Sequence, residues 1–301
     1  MRARRIVAFT AVYLVWGSMY LAMRVGVESI PPLMLAALRS LIAGAILYGW
    51  GRLRGGAPPT PREWRVAAVV GGLLFFGAHG SLFWAVQRVP SGVASLFVAT
   101  IPIWMTITQY LTEPRRRVGG STVVGIAGGA FGIFLLVGPG QLLGGERIDP
   151  VGAVVLVGVA IFWTLGSAVA KRTAPRSLPV ATGSYLLAGG TMLAVASVAV
   201  GEPALVATRP VLSRSVVALG YLVVFGSVIT FSAYNWLLRH TSLSAVSTYA
   251  YVNPLVAVLL GWGFAGEPLS PRVLVATAVI LSSVALSLSA QARFWTRPAR
   301  V

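Results

Sequence analysis

The chain has 301 residues, of which 56% are hydrophobic and 10% are charged, and its mean hydropathy is +0.82. Soluble domains carry roughly 25% charged residues, so this composition excludes a soluble globular protein. A net charge of +17 would suggest nucleic-acid binding in a soluble protein, but here the cations flank apolar stretches, and we predict no nucleic-acid partner. There is no cysteine, the two histidines lie far apart and the seven acidic residues are scattered, so we predict neither a metal site nor a cofactor.

Ten apolar stretches of about 20 residues follow one another from Ile6 to Ala290, with most charged residues in the turns between them. A helix of this length spans about 30 Å, the thickness of the hydrocarbon core of a bilayer. The sequence therefore predicts an all-α integral membrane protein with ten transmembrane helices surrounded by membrane lipid. The first stretch resembles a signal peptide but has no clear small-residue cleavage site, and we interpret it as an uncleaved span. The predicted spans are 6–23, 33–51, 66–86, 92–111, 119–138, 151–170, 180–200, 215–237, 245–264 and 273–290.

The distribution of arginine and lysine predicts the orientation of these spans. With the N-terminus in the cytoplasm, seventeen cationic residues fall in cytoplasmic segments and six at external ends. Cationic residues are disfavoured in translocated loops, so this arrangement is favoured. We therefore predict a multi-pass protein of the bacterial inner membrane with both termini in the cytoplasm.

The chain repeats itself weakly. The stretch that begins at Ser91 and the stretch that begins at Leu243 both open with small and hydroxyl residues and have a proline within the span. Both end in Glu-Pro, at Glu113-Pro114 and Glu267-Pro268. Five spans per half force the two halves into opposite orientations. Inverted repeats are typical of secondary transporters, whose substrate site lies near the membrane midplane between the halves.

Five motifs follow one another along the chain: Trp16 to Pro32, Leu38-Arg39 with Ala43-Gly44, Val89 to Gly92, Tyr251 to Pro254, and Gly266 to Pro268. In this order they resemble the EamA-type carriers of the drug/metabolite transporter superfamily, close to their YedA-like bacterial inner-membrane members. The resemblance implies two inverted five-helix EamA repeats, at 1–148 and 149–301, alternating access, and export of amino acids or other metabolites. Similar sequences often carry a small amide residue where this chain has His79, so the substrate of a relative does not transfer directly.

Several aromatic and polar residues lie deep within predicted spans, where polar groups are costly and usually face the interior of the helix bundle. They could line a pocket for an apolar or ring-bearing solute, with hydroxyl and amide groups as hydrogen-bond donors. Packing between helices is the alternative for each of them. The candidate substrate-binding residues are Trp16, Tyr20, His79, Phe83, Thr100, Trp104, Trp163, Tyr249 and Asn253.

Charged and titratable residues give further hypotheses. No aspartate or glutamate lies within a predicted span, so His79 is the candidate for proton coupling. Its alternative role is a neutral histidine that bonds a neighbouring helix. Arg24 and Arg39 either form an anion-attracting vestibule or anchor the first two helices, and we expect Arg39 to extend outward and pair with Glu28 or with helix-end carbonyls.

Pro102 and Pro254 interrupt two predicted spans at similar positions. Proline removes a backbone hydrogen bond and frees carbonyl groups, so both residues are hinge candidates, with plain helix kinks as the alternative.

These features predict a secondary transporter, not an enzyme, that moves a small metabolite, amino-acid-like or otherwise amphipathic, across the cytoplasmic membrane, with export as the expected direction. One alternative is an integral-membrane enzyme, although no acid–base or nucleophile cluster is present. A channel or a non-transporting scaffold is another, although no charged constriction ring is evident. Glycine pairs in the fifth span favour packing within the monomer, and the oligomeric state is left open.

Overall fold

The computed structural model describes residues 2–112, 120–137, 148–173, 175–208, 210–240 and 249–295, which form helices and connecting turns without strands. Glu113-Pro114, the Glu-Pro pair that ends the first of the two similar stretches, lies outside the described residues. Two π-helical segments, π1 (Gly72–Gly80) and π2 (Leu222–Ile229), each continue one α-helix into the next. The α-helices are α1 (Arg2–Gly26), α2 (Pro32–Leu53), α3 (Pro61–Gly71), α4 (Ser81–Ala85), α5 (Ser91–Val98), α6 (Ile101–Thr112), α7 (Gly120–Val137), α8 (Pro150–Lys171), α9 (Leu178–Ala199), α10 (Glu202–Thr208), α11 (Ser213–Tyr221), α12 (Thr230–His240), α13 (Tyr249–Ala265) and α14 (Pro271–Trp295).

Within the described residues, six helices are long and apolar enough to cross a membrane. Shorter apolar helices occupy the positions of the other predicted spans. The all-helical, apolar character predicted from the sequence is therefore confirmed, and the full arrangement of ten spans stays a prediction. The six long helices are Ala3–Gly26, Pro32–Leu53, Pro61–Ala85, Pro150–Lys171, Leu178–Ala199 and Ser213–Tyr234.

Local sequence explains where the helices begin and end. Proline occupies the first turn of α2, α3, α8 and α9, where its missing N–H would have no helical partner. Thr60 and Glu63 form a capping box at the start of α3, and Asp149 caps α8. Gly55 and Gly201 follow α2 and α9 with φ of 82° and 79°, a conformation that favours glycine and stops the helix.

The fourth predicted span, 92–111, is not one continuous helix. It divides into α5 and α6 at Ala99 and Thr100, just before Pro102. Pro102 has no N–H to donate to the carbonyl of Val98, so the α-helical hydrogen-bond ladder is interrupted and a new helix starts at Ile101. Pro102 therefore lies in the first turn of α6, whereas Pro254 lies inside the continuous helix α13.

Glycines bring the backbones of neighbouring helices into contact. The most extensive helix pair is α2 with α9. A Cβ atom at Gly183 of α9 would lie 2.5 Å from the backbone nitrogen of Tyr48 in α2. The third rod, α3–π1–α4, approaches the same helix, because a Cβ atom at Gly189 would lie 2.5 Å from the carbonyl oxygen of Gly71. These contacts hold the first and second halves of the chain together.

Candidate functional site

A cavity of about 90 Å³ lies between helices of both halves of the chain, principally α1, π1, α5, α6, α8 and α13. Its walls are mostly apolar and aromatic. Six candidate substrate-binding residues line it, together with Arg39 and both prolines. The predicted residues in its walls are Trp16, Tyr20, Arg39, His79, Pro102, Trp163, Tyr249, Asn253 and Pro254.

Trp16 is the centre of an aromatic cluster on one side of the cavity. Its ring centroid lies 5.5 Å from that of Phe231 and 5.2 Å from those of Tyr234 and Tyr249. The indole Nε1 donates to the carbonyl of Gly226 in π2, at 3.3 Å. Edge and tilted ring contacts of this kind are favourable beyond simple burial, so the indole is held in one orientation.

His79 lies on the other side of the cavity, in π1. Its ring is 5.4 Å from that of Trp163 in α8 and 5.2 Å from that of Phe75, one turn earlier. The side chain is buried, and its Nδ1 atom has no hydrogen-bond partner among the described residues. A buried polar atom without a partner is uncommon and is a reason to look for a ligand.

Arg39 does not extend to the outer surface, and our expectation that it pairs with Glu28 is wrong. Its side chain is only 2% exposed, and its Nε donates to the hydroxyl of Ser227 in π2, at 3.1 Å. The guanidinium carbon lies 5.8 Å from the ring centroid of Phe83. Glu28 instead accepts from Arg214, at 2.5 Å. The inward orientation depends on Ser227, which is 188 residues away in sequence.

Arg24 serves as an anchor rather than as part of the cavity wall. Its Nη1 donates to the carbonyl of Val86, at 2.5 Å, and so ties the end of α1 to the end of the third rod. The anchor therefore joins α1 to the third rod and not, as the sequence suggests, to α2.

Thr100, Trp104 and Phe83 do not line the cavity. Thr100 is buried and donates to the carbonyl of Phe97 at 2.6 Å, while its oxygen accepts from Trp104 Nε1 at 3.2 Å. Phe83 is fully buried and packs beneath Arg39. Thr100 and Trp104 therefore bond each other and the preceding turn of their own segment, and neither reaches the cavity.

Asn253 connects the cavity wall to α1. With its amide oriented to satisfy both groups, the side-chain nitrogen donates to the carbonyls of Tyr249 and Tyr13, each at 3.2 Å. Sequence reasoning missed Ser227, which holds Arg39, and Phe231, which lines the cavity. Both belong to the eighth predicted span. A serine and a phenylalanine four residues apart within an apolar stretch could have marked that span as a further candidate wall of the cavity.

Comparison with known proteins places these features in a family. The sequence profile of the EamA-like transporter family matches the chain twice, at residues 4–138 and 150–289. The chain is 40% identical over 97% of its length to the uncharacterized inner membrane transporter YedA of Escherichia coli (strain K12), of which it covers 92%. It is 28% identical over 90% of its length to Protein PecM of Dickeya dadantii (strain 3937), of which it covers 87%. A solved crystal structure shares its fold with a TM-score of 0.64 and 23% identity, over 97% of this chain and 99% of that one.

Proposed function

Because the chain belongs to the EamA-like transporter family, we propose that it is a secondary transporter that carries a small solute across the bacterial inner membrane. The observation that supports this most strongly is the cavity of about 90 Å³, whose walls come from both halves of the chain. Sites of this type combine apolar and aromatic walls with a few polar groups that orient the solute. The relatives named as transporters point to a non-enzymatic protein.

The proposed architecture is ten transmembrane helices in two inverted repeats, 1–148 and 149–301, with both termini in the cytoplasm. The double match of the family profile supports two repeats. A second support comes from the two π-helical segments. π1 interrupts the third predicted span and π2 the eighth, which is the third span of the second half. In such an arrangement the solute gains access from one side at a time, and rocking of one repeat against the other exchanges the sides. Export is the proposed direction.

Counterflow in proteoliposomes tests the proposed carrier activity. Vesicles loaded with unlabelled metabolite should accumulate the labelled form transiently, and the rate should saturate with concentration. Trp16→Ala should abolish the accumulation, because it removes the centre of the aromatic wall. Trp262→Ala is the matched control, because Trp262 is 57% exposed on α13 and does not line the cavity. Uptake that never saturates would contradict a carrier and favour a channel.

Proton coupling through His79 remains a proposal. Its support is the position of the imidazole in the cavity wall, with Nδ1 unpaired among the described residues. Histidine is the side chain that ordinarily titrates near physiological pH. We expect an imposed pH gradient to accelerate counterflow in the wild type but not in His79→Gln. Equal acceleration in both proteins would exclude His79 as the coupling group.

A further inference from the structure

Arg39 carries a positive charge into the cavity wall, and no carboxylate among the described residues pairs with it. The side chain is 2% exposed, and none of the described residues that line the cavity is acidic. Two glutamates near the start of α2 have other partners. Glu28 pairs with Arg214, and Glu202 accepts from backbone N–H groups of α2. A buried charge without a counter-ion is strongly unfavourable, so this site favours an anion that comes from outside the protein.

The surroundings of Arg39 determine which of its guanidinium nitrogens is left to bind a ligand. Its Nε is occupied by Ser227, whose hydroxyl donates in turn to the carbonyl of Leu222, at 3.1 Å. One face of the guanidinium lies over Phe83. Its Nη1 has no acceptor among the described residues, and the same holds for Nδ1 of His79, which lines the same cavity. Two buried nitrogens therefore lack partners at one site.

The rest of the cavity suits an apolar group. Trp16, Trp163 and Met19 present carbon surface to it, and no described acidic side chain is available to neutralise an ammonium group. A zwitterion would therefore lose the hydration of its cationic end without gaining an ion pair. A carboxylate on a compact ring or aliphatic body would pair its charge with Arg39 and pack its carbon skeleton against Trp16, Trp163 and Met19.

We propose that the solute is an organic monoanion, a carboxylate on a compact apolar body, with Arg39 as its counter-ion and His79 as a second hydrogen-bond partner. This inference rests on the proposed transport function and specifies its substrate class. Arginine binds carboxylates through two parallel hydrogen bonds, which gives orientation as well as affinity. Ser227 acts as a positioning residue for the guanidinium.

Three matched probes test the proposal on the purified, detergent-solubilised protein: phenylacetate, phenylacetamide and phenylglycine. A ligand that binds only the folded state raises the melting temperature in a saturable way. Phenylacetate should stabilise the protein at concentrations roughly 10- to 100-fold lower than the other two, the effect expected of a charge-assisted hydrogen bond. Equal or stronger stabilisation by the neutral amide or the zwitterion would overturn the proposal while leaving transport itself untouched.

Variants of Arg39 and Ser227 assign the effect to this site. Arg39→Met should abolish the preference for phenylacetate over phenylacetamide, and Ser227→Ala should weaken it. Arg88→Met is the matched control, because the side chain of Arg88 is 51% exposed and lies outside the cavity. If Arg39→Met does not fold, the probe series on the wild type and Ser227→Ala still decides the question. Stabilisation by chloride that matches phenylacetate would overturn the carboxylate assignment in favour of an inorganic anion.

Discussion

Single glycines decide how closely the third rod approaches α9. A Cβ atom at Gly189 would lie 2.5 Å from the carbonyl oxygen of Gly71 and 2.6 Å from Cβ of Phe75. Real Cβ atoms do not come so close to a backbone oxygen, and a backbone cannot move aside as a flexible side chain can. Gly158, in the same half of the chain, provides a contrast, because a methyl group added there would meet no neighbouring atom within 4 Å.

We expect Gly189→Ala to lower the free energy of unfolding by about 1–3 kcal/mol, the usual effect of overpacking. Gly158→Ala should be neutral or slightly stabilising, because alanine is the better helix former. Thermal unfolding followed by tryptophan fluorescence in detergent measures both. An equal melting temperature for the two variants would contradict the close contact between the third rod and α9.

The sequence could predict which residues lie deep in the membrane but not which of them meet. Trp16, Tyr20 and His79 are recognisable as polar or aromatic groups within apolar stretches, and all three line the cavity. Thr100 is recognisable in the same way, but its hydroxyl bonds Phe97 and Trp104 and it does not line the cavity. The position of Arg39 depends on a contact across the two halves, which no local pattern encodes.

At the level of helices, two glutamates cap helix ends that belong to the other half of the chain. The carboxylate of Glu202 accepts from the N–H groups of Leu33 and Met34, at 3.1 and 2.7 Å. Pro31, which precedes α2, supplies no side-chain cap of its own. The first N–H groups of a helix need an acceptor, and a negative charge there also suits the helix dipole.

Glu267 does the same for α5, where it accepts from the N–H groups of Ser91 at 2.6 Å and Gly92 at 3.0 Å. We expect Glu202→Gln and Glu267→Gln each to lower the free energy of unfolding by about 1–2 kcal/mol, since an amide offers one acceptor oxygen and no charge. Glu28→Gln is the control, because its exposed ion pair should contribute less than about 1 kcal/mol. Melting curves at one detergent concentration provide the comparison, and a larger loss for Glu28→Gln would contradict the capping argument.

Two ion pairs join the halves near opposite ends of α2, each with its glutamate in the first half and its arginine in the second. Glu63 of the first half pairs with Arg176 of the second at 2.7 Å, and Glu28 pairs with Arg214 at 2.5 Å. The hydrogen bond with the Glu63 carboxylate raises the pKa of the Arg176 guanidinium above its ordinary value, so this arginine stays charged at any physiological pH.

A charge exchange tests whether the Glu28–Arg214 contact acts as a pair. We expect Glu28→Arg and Arg214→Glu each to lower the melting temperature slightly, because each places like charges together. The double variant should recover most of the loss, with a coupling of up to about 1 kcal/mol for a surface pair. Simple addition of the two losses would show that the residues do not interact.

For the whole molecule, the rhythm of apolar stretches is sufficient to predict an all-helical membrane protein, because the length of a span follows from the thickness of the bilayer. The sequence did not reveal α10 (Glu202–Thr208), which lies in a predicted turn, or the division between α5 and α6. Both depend on glycine or proline near a helix end. Such a residue can kink a helix, end it in a turn or begin the next helix, and the sequence alone does not distinguish these outcomes.

The chain contains no cysteine, so single cysteines can report its orientation without background. We expect Ala207→Cys, after α9, to react with a membrane-impermeant maleimide in intact cells. Ala57→Cys, after α2, should react only once the membrane is permeabilised. Both positions are exposed, so accessibility within the protein does not bias the result. The reverse labelling pattern would contradict a cytoplasmic N-terminus.

The unbalanced guanidinium of Arg39 has an electrical consequence. With a monoanion bound, the occupied site is close to neutral, whereas the empty site carries a positive charge that the inside-negative potential pulls toward the cytoplasmic orientation. Each cycle then moves one negative charge outward. That movement is worth about 2.3 kcal/mol per 100 mV, enough to sustain roughly a 50-fold concentration ratio. The membrane voltage would therefore help to drive such an exporter, in addition to any proton coupling through His79.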